Sequence, residues 1–447
     1  MALDSEIQWE FRESGSNNNG VGFSDLDPGT SIDYSQQDAA EKTFDDLAMV
    51  AGGTTITSAS AQFEAADVGN ILFIRSGTNF QYNYFQITSF NSNTSVEIDR
   101  DATDGGNGSL GIANLGGARA DMSTWFNEDG VMTYFYSVII AGNTLWFKSG
   151  DYTGAQMHVQ GAATDFIRMI GYNAVRGDNP TGDDRPTLTG TAATLLIYPV
   201  ITASYRDVYH YYKNLKLSIL NGAACNFNKV NKIIFENCRF YSANVLGPVG
   251  VFEGRGGDIR IIDCEFFSDD DSITDSVFSV SGLEVDGAAR SLIVDSCYLH
   301  LSEDDANCSP GKRTDRWINT IFSRSPIYTG SDGATFMKNC VIHTSVNSSS
   351  YSGIGIYQGV NDPRVYIYNN VLDGYYRAVQ AYDKDAFLDF NNWWNNTTDV
   401  ASTGGLTPGE NATYCDPKYR DADNDDFSYW AASKMRKAAY TSDLGRS

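Results

Sequence analysis

The chain has 447 residues, of which 42% are hydrophobic and 13% aromatic, so it is long enough to bury a large core. Its many glycine, tyrosine and phenylalanine residues (42, 26 and 24) favour strands and tight turns over helices. A formal charge of −24 argues against binding to nucleic acid, because an acidic surface repels phosphate backbones.

The N-terminal segment, residues 1–52, is predicted to lead into the fold and to cap it. Residues 33–49 carry apolar side chains at helical spacing, with Asp33 or Ser35 as a possible N-cap, so a short helix is predicted there. Such a helix would cover strand edges at an open end. The first residues include acids and no apolar core of a signal peptide, and no run of 18 apolar residues is present. Without an export signal, the protein is expected to leave the cell by lysis. Release by lysis in turn predicts that it belongs to a virus particle, and no membrane insertion is expected.

Residues 53–118 alternate between apolar and polar positions and are interrupted by glycine turns. This pattern is typical of antiparallel strands. We therefore predict a small β-rich unit inserted before the main domain, which is expected to span residues 119–396.

A strand phrase recurs in the main domain, for example as KIIFENCRFYS at 232–242 and as VYIYNNVLDG at 365–374. The second residue of its central pair, taken as a marker, falls at Leu215, Cys238, Cys264, Cys297, Cys340, Asn370 and Asn392. The intervals are 23, 26, 33, 43, 30 and 22 residues, a period that indicates a solenoid. One strand phrase per coil predicts an all-β, right-handed parallel β-helix. The longer intervals predict inserted loops at 303–317 and 345–353.

Identical positions of successive coils stack in a β-helix, so the marker residues are predicted to form an inward structural ladder. Its members from the second coil onward are Cys238, Cys264, Cys297, Cys340, Asn370 and Asn392. Stacked asparagine amides can hydrogen-bond to one another along the axis. The seven cysteines are widely spaced, with no Cys/His metal spacing, and free thiols are expected.

Residues 397–447 lose the strand phrase and are predicted to form a C-terminal cap, as solenoids require. The alternating acids Asp421, Asp423 and Asp425 resemble the start of a calcium loop. The glycine expected at its sixth position is replaced by Asp426, so a polar turn is favoured. No metal site and no cofactor are predicted.

An outward column lies three positions past the marker and consists of Tyr241, Phe267, His300, His343, Asp373 and Asn395. Aromatic faces can stack on sugar rings, and the polar members can hydrogen-bond to hydroxyl groups. The first five are the candidate glycan-binding residues. The alternative, which the pattern favours, is that the column packs under a loop or a neighbouring subunit.

Candidate catalytic groups do not converge on a site. Acids occur in runs at 269–271 and 303–305, but no two are paired by spacing as glycoside hydrolysis requires. Lys312, Arg313 and Arg316 lie beside the second run, an arrangement more typical of a surface ion-pair patch. The catalytic residues are therefore unknown, and binding or architecture is favoured over enzymatic activity.

The chain resembles phage-encoded, pectate-lyase-like β-helix proteins over nearly its whole length. The residues that carry the likeness are IQWEFRESGSNNNGVGF and DYSQQDA near the start, LGGA at 115–118, AGNTLWFKSGDYTG at 141–154 and CDPKY with DNDDFSYW near the end. Ala431–Lys434 stand where the family has a Pro-Gly-Ser-Pro run.

The resemblance implies a virion structural protein (a tailspike, tail fibre or capsid-surface protein) that adheres to host-surface glycan in host recognition. Its expected partners are other virion proteins, host polysaccharide and further copies of itself, with trimers common among such proteins. Two alternatives stay open. One is a polysaccharide depolymerase, either hydrolase or lyase, and the other is a purely architectural adaptor.

Overall fold

The computed structural model describes residues 3–121, 125–126, 132–133, 138–154, 165–190, 209–219, 225–228, 232–242, 252–255, 258–268, 278–281, 290–300, 306–307, 313–323, 327–329, 334–344, 352–356, 364–381, 386–421 and 426–429. Regular structure in these residues is β, apart from 3-10 turns at Tyr34–Gln36, Ala65–Asp67 and Gly182–Asp184 and a 3-10 residue at Val138. Two compact units are present, Met1–Thr189 with Asp207–Leu215 and Gly190–Arg206 with Lys216–Ser447. None of the described residues belongs to a helix that could cross a membrane.

The first unit begins a parallel stack with a strand from the N-terminal segment. Gln8–Phe11 pairs in parallel with Thr144–Lys148, and the short strand Gly22–Phe23 covers its other edge in antiparallel fashion. The stack continues through Ile167–Tyr172 and Tyr209–Lys213. Phe11 and Phe147 stack with their ring centroids 4.6 Å apart. Further strands of this unit are Asp151–Gly154, Thr187–Gly190, Trp125–Phe126 and Met132–Thr133.

Six antiparallel strands inserted into this stack close on themselves as a small barrel. In spatial order they are Lys42–Met49, Thr55–Thr57, Ser95–Ile98, Asn83–Ser92, Ile71–Thr78 and Gly108–Leu115. Alternating residues such as Leu72, Ile74, Phe85 and Ile87 point into a shared apolar core, as period-2 strands require. The barrel begins at Lys42, before residue 53 where the sequence suggested an inserted unit.

The helix predicted over residues 33–49 was wrong. Asp33 does cap a turn, since its carboxylate accepts a hydrogen bond of 2.9 Å from the Ser35 amide, but that turn is only Tyr34–Gln36. Residues 42–49 are a strand whose pairing register shifts between Phe44 and Leu47 and again before Met49. A bulge adds a residue between inward side chains, so the buried positions acquire the spacing of a helix.

A buried ionic network holds the N-terminal strand against the following coils. The Glu10 carboxylate is fully buried, and it accepts hydrogen bonds from Arg12 Nε at 2.9 Å and from Arg176 Nε at 2.8 Å. The Tyr172 hydroxyl donates a third. Arg176 also binds Asp33 through Nη1 at 2.9 Å. Both carboxylate oxygens of Glu10 are therefore satisfied away from water, as burial of a charge requires.

A histidine occupies an inward position of the first unit. His210 alternates with Tyr209 and Tyr211 and is fully buried. Its Nδ1 shares a 2.7 Å hydrogen bond with the Tyr212 hydroxyl, whereas its Nε2 has no partner among the described residues. Burial lowers the pKa of His210 to about 4, so the ring is neutral in the folded protein at physiological pH.

The second unit is a parallel stack, and the predicted all-β parallel β-helix is confirmed. Sheet I contains Lys232–Glu236, Asp258–Ile262, Arg290–Asp295, Arg313–Ile318, Ala334–Lys338, Arg364–Tyr368 and Ala386–Asp389. Sheet II contains Lys216–Ile219, Arg239–Ser242, Glu265–Ser268, Tyr298–His300, Ile321–Ser323, Val341–His343, Val371–Asp373 and Asn392–Trp394.

A third strand series, Sheet III, completes each coil. It consists of two hydrogen-bonded parts. The first contains Cys225–Asn228, Phe252–Arg255 and Phe278–Ser281, and the second contains Ala306–Asn307, Ile327–Thr329, Ser352–Ile356, Arg377–Ala381 and Thr398–Ser402. After the last coil, Tyr419–Asp421 and Asp426–Tyr429 form an antiparallel pair.

A single residue in the left-handed conformation turns the chain from Sheet I to Sheet II in every coil. These turn residues are Asn237, Asp263, Ser296, Asn319, Asn339, Asn369 and Phe390, with φ between 51° and 58°. Asparagine and aspartate tolerate this conformation better than other non-glycine residues. The residue after each turn residue points inward.

The inward ladder differs from the predicted one at two places. The strand registers align Cys238, Cys264, Cys297, Thr320, Cys340, Asn370 and Asn391. Thr320 belongs to a coil that the sequence interpretation missed, because most of the strand Arg313–Ile318 falls within the predicted loop at 303–317. Asn392 pairs with Val371, so Asn391 and not Asn392 is the last ladder residue. The predicted 345–353 loop includes the start of Ser352–Ile356, and its other residues lie outside the described ones.

The ladder residues are buried and satisfy one another along the axis. Asn370 Oδ1 accepts a 2.8 Å hydrogen bond from the Cys340 amide, and Asn391 Oδ1 accepts one of 3.0 Å from the Asn370 amide. The Asn370 side-chain amide donates to Met337 O at 3.1 Å. Such pairing allows amide side chains in a narrow core without unsatisfied polar atoms.

The ladder thiols are expected to resist alkylation in the folded protein. Cys238, Cys264, Cys297 and Cys340 are free and buried, and burial raises the pKa of the Cys340 thiol to about 12. The thiolate is the reactive species, so iodoacetamide should leave these four unmodified until the protein is denatured. Mass spectrometry of peptides from native and denatured samples measures this, with the half-buried Cys415 as the internal reference. Native modification of any ladder thiol as fast as a free cysteine would contradict the burial.

Candidate functional site

The predicted outward column lies in register on Sheet II, with one addition and one replacement. The pairings align Tyr241, Phe267, His300, Ser323, His343, Asp373 and Trp394. Ser323 belongs to the missed coil, and Trp394 stands where Asn395 was predicted. The side chain of His300 lies outside the described residues.

The aromatic end of this column is occupied by neighbouring side chains. The Arg239 guanidinium lies 4.4 Å above the centroid of the Phe267 ring and within 3.7 Å of a Glu265 carboxylate oxygen. Tyr298 meets the Phe267 ring edge-on at 5.7 Å. Because a cation and a second ring cover Phe267, its face is not open to a sugar in this conformation.

The column is buried just before its exposed last member, Trp394. His343 and Asp373 are 9% and 6% exposed, and His343 Nδ1 lies 3.1 Å from Asp373 Oδ2. The Tyr419 ring, from the segment after the last coil, packs against His343 at 5.9 Å. His343 therefore packs against the closing segment, and both His343 and Asp373 are largely shielded from solvent.

The remaining candidates from the sequence do not assemble into a site. The acidic runs at 269–271 and 303–305 and the side chains of Lys312 and Arg313 lie outside the described residues. Arg316 projects outward from Sheet I, and Asp421 ends a strand. Over the described parts of the chain, no three His, Cys, Asp or Glu side chains are grouped to hold a metal ion.

A column of stacked groups runs along the outward face of Sheet I. The registers align Arg316, Phe336, Tyr366 and Phe387. Arg316 lies 6.0 Å from the centroid of Phe336, and Phe336 and Tyr366 stack almost parallel at 4.8 Å. Tyr366 and Phe387 are 6.4 Å apart and tilted by 47°. Phe336 and Tyr366 each have a column neighbour on either side, whereas Phe387, at the end of the column, has one and is exposed.

Exposed aromatic rings are concentrated at the last coil. In the second unit, the large hydrophobic side chains that are exposed among the described residues are all aromatic: Phe387 (55%), Phe390 (52%), Trp394 (37%) and Tyr414 (59%). Tyr414 follows Thr413, whose amide and carbonyl pair with Asn391 O and Trp393 N at 2.9 Å each. These four residues, which lie on the last coil and the segment paired with it, are called the last-coil aromatic cluster. A group of exposed rings is typical of a binding surface.

Phe390 adopts a backbone conformation that suits its residue type poorly. Its φ of 55° is that of the turn residues in the other coils, where the chain has Asn, Asp or Ser. The left-handed conformation disfavours a residue with a Cβ by about 1–2 kcal/mol, and a large ring has no side-chain hydrogen bond to offset this. The ring is half exposed, so its packing contacts offset little of this conformational cost.

The chain segment 386–417, which carries the cluster and is called the cluster segment, is acidic in sequence. From Ala386 to Pro417 the sequence has four carboxylates, Asp389, Asp399, Glu410 and Asp416, and no Lys or Arg. Asp389 accepts hydrogen bonds from the Phe390 amide at 2.9 Å and from the Asn411 amide and side chain at 3.0 Å. Desolvation raises the pKa of Asp389, but the hydrogen bonds from Asn411 and Phe390 outweigh it, so that pKa is lowered.

Comparisons with known proteins identify no family. No family model matches the sequence, and no curated protein matches it significantly. Among solved structures, it is similar to the tailspike gp61 of Pseudomonas phage phi297, at 10% identity over 88% of this chain and 68% of that chain, with a TM-score of 0.24. It is also similar to the catalytic domain of a GH87 alpha-1,3-glucanase, at 9% identity over 85% and 89%, with a TM-score of 0.26. A third similar structure is the tailspike gp49 of Pseudomonas phage LKA1, at 12% identity over 84% of this chain and 65% of that chain, with a TM-score of 0.17. At these TM-scores the likenesses carry no argument about the site.

Sequence reasoning missed the aromatic cluster, although a signal was present. The phrase FLDFNNWWNN at 387–396 contains three of its four members. Placing the marker at Asn391 would have put Phe390 at the turn position, where the other phrases have Asn, Asp or Ser. With the marker at Asn392, the turn position falls on Asn391, and the phenylalanine at the true turn position is not apparent.

Proposed function

We propose that this chain is a phage virion protein, of the tailspike, fibre or capsid-surface type, that adheres to host-surface glycan through the last-coil aromatic cluster. The observation that supports glycan binding is the exposure of Phe387, Phe390, Trp394 and Tyr414 on one coil and the segment paired with it. Sugar rings have apolar faces that pack on aromatic side chains, and their hydroxyl groups bond to nearby polar atoms.

Placement on a virion is supported by the sequence resemblance to phage β-helix proteins, which extends over both units. Association with other virion proteins, and self-association into a homo-oligomer such as a trimer, stay predictions of that resemblance. Sedimentation of the purified chain tests the second. A monomer at micromolar concentration would contradict it.

Replacing Trp394 with alanine is expected to weaken glycan binding about tenfold or more, since loss of one ring contact worth about 1.4 kcal/mol changes Kd tenfold. The ring is partly exposed, so the fold should be unaffected. The measurement is binding of purified protein to immobilised bacterial capsular polysaccharides and lipopolysaccharides. Phe267→Ala is the matched control, because that ring is covered by Arg239, and it should bind as the unaltered protein does.

Two outcomes would contradict this assignment. Unchanged binding by Trp394→Ala together with loss of binding by Phe267→Ala or Tyr241→Ala would move the site away from the last coil to Tyr241 and Phe267. Absence of binding to every polysaccharide would favour the architectural adaptor. The same incubations, followed for released oligosaccharides, separate an adhesin from a depolymerase, because only the latter shortens the glycan.

A further inference from the structure

Phe390 combines an unfavourable backbone conformation with an exposed side chain, a combination that the fold itself does not require. Each of the six preceding Sheet I to Sheet II turns of the second unit uses Asn, Asp or Ser at the same φ. Residues held in sparsely populated backbone regions concentrate at ligand-binding sites, and the observed outlier is the starting point for a functional hypothesis. A residue that neither favours the turn nor packs in the core is therefore expected to act on something outside the chain.

The charges of the cluster segment bear on which ligand would be favoured. The Asp389 carboxylate lies 2.9 Å from the Phe390 amide nitrogen, and the cluster segment 386–417 has no cationic side chain. Lys418, just beyond it, is 3.6 Å from Asp416. A sugar carboxylate placed on these rings would meet like charges with no arginine or lysine of the segment to pair with, and like charges placed together disfavour binding. An uncharged sugar meets no such repulsion.

We propose that Phe390 is retained to stack on an uncharged sugar, so that the last-coil aromatic cluster binds neutral glycans and disfavours glycans that carry carboxylates. This inference rests on the proposed glycan-binding function and specifies its ligand class. It also assigns Phe390 a binding role that opposes the stability of its own turn.

Replacing Phe390 with asparagine tests the first part, because asparagine is the residue at Asn319, Asn339 and Asn369. The expected result is at least tenfold weaker binding of a neutral polysaccharide and a melting temperature raised by about 1–3 °C. Phe390→Tyr keeps a ring and should bind within about twofold of the unaltered protein. Asn319→Phe is the mirror control, at a turn three coils from Phe390, and it should lower the melting temperature while leaving binding intact. Unchanged binding by Phe390→Asn, or a lowered melting temperature, would overturn the proposal.

Chemical reduction of sugar carboxyl groups tests the second part. Each acidic polysaccharide of a bacterial panel is presented in its native form and after reduction of its uronic acids to neutral sugars, beside naturally neutral polysaccharides. The protein is expected to bind members of the neutral and reduced sets at least tenfold more tightly than the native acidic forms. Binding of the native acidic forms that Trp394→Ala abolishes would overturn the neutral preference and leave the glycan-binding function standing. Failure to bind either set would instead overturn the proposed function.

Discussion

Replacing Glu10 with glutamine is expected to lower the free energy of unfolding of the first unit by about 3–5 kcal/mol, the usual effect of breaking a buried ion pair. Glutamine keeps the shape of the side chain but removes its charge. The guanidinium groups of Arg12 and Arg176, which bond to Glu10 at 2.9 and 2.8 Å, would then share a neutral amide. Equilibrium unfolding in urea, followed by tryptophan fluorescence and circular dichroism, measures the change.

The control for this change is an exposed ion pair of the same unit. Asp165 and Arg168 are 3.1 Å apart, and both are solvent-accessible, so Asp165→Asn should change stability by less than about 1 kcal/mol. A loss of similar size for both variants would show that burial of Glu10 contributes nothing particular. A large loss for Glu10→Gln alone would identify the network as the main anchor of the N-terminal strand.

Acidification from pH 6.5 to pH 4 is expected to remove about 3 kcal/mol of stability through His210 alone, since one pKa unit corresponds to about 1.36 kcal/mol. Burial lowers the pKa of His210 from 6.5 to about 4. The unfolded chain therefore binds a proton in this pH range that the folded chain does not. Stability linked to His210 is complete above pH 6.5 and is lost as the pH falls towards 4.

The variant His210→Gln is expected to have a weaker pH dependence than the unaltered protein over this range. Carboxylates also titrate near its lower end, so the difference between the two curves isolates the histidine. Ile167→Val is the matched control, because Ile167 pairs with His210 in the neighbouring strand and does not ionise. It should lower stability equally at every pH. Parallel curves for His210→Gln and the unaltered protein would show that His210 titrates normally.

The fold could be predicted from the sequence because a β-helix repeats its turn and its ladder residue in every coil. The prediction failed locally where that chemistry changes. Thr320 occupies a ladder position that Cys or Asn fills in the neighbouring coils, so its coil was interpreted as a loop. At residues 42–49, bulges altered the spacing of the inward side chains and a strand looked like a helix.

The candidate site was less predictable, because exposure depends on contacts between distant parts of the chain. The alternation correctly placed Tyr241 and Phe267 in register, but register says nothing of what lies above a side chain. The cation above Phe267 and the Tyr419 ring over His343 are tertiary contacts. Of these features, only Phe390 could be recognised from the local sequence, because it occupies a turn position where the preceding coils have Asn, Asp or Ser.

The one-residue turn determines where this architecture can accept new sequence. Ladder residues of successive coils are between 20 and 33 positions apart, yet each is preceded by the same single left-handed residue. All variation in coil length is therefore accommodated elsewhere, in the connections that lead to and from Sheet III. A peptide grafted into one of those connections would leave the ladder in register. One residue added beside Asn339 would turn the following strand inside out, which makes the shortest connection of each coil the one least open to evolutionary change.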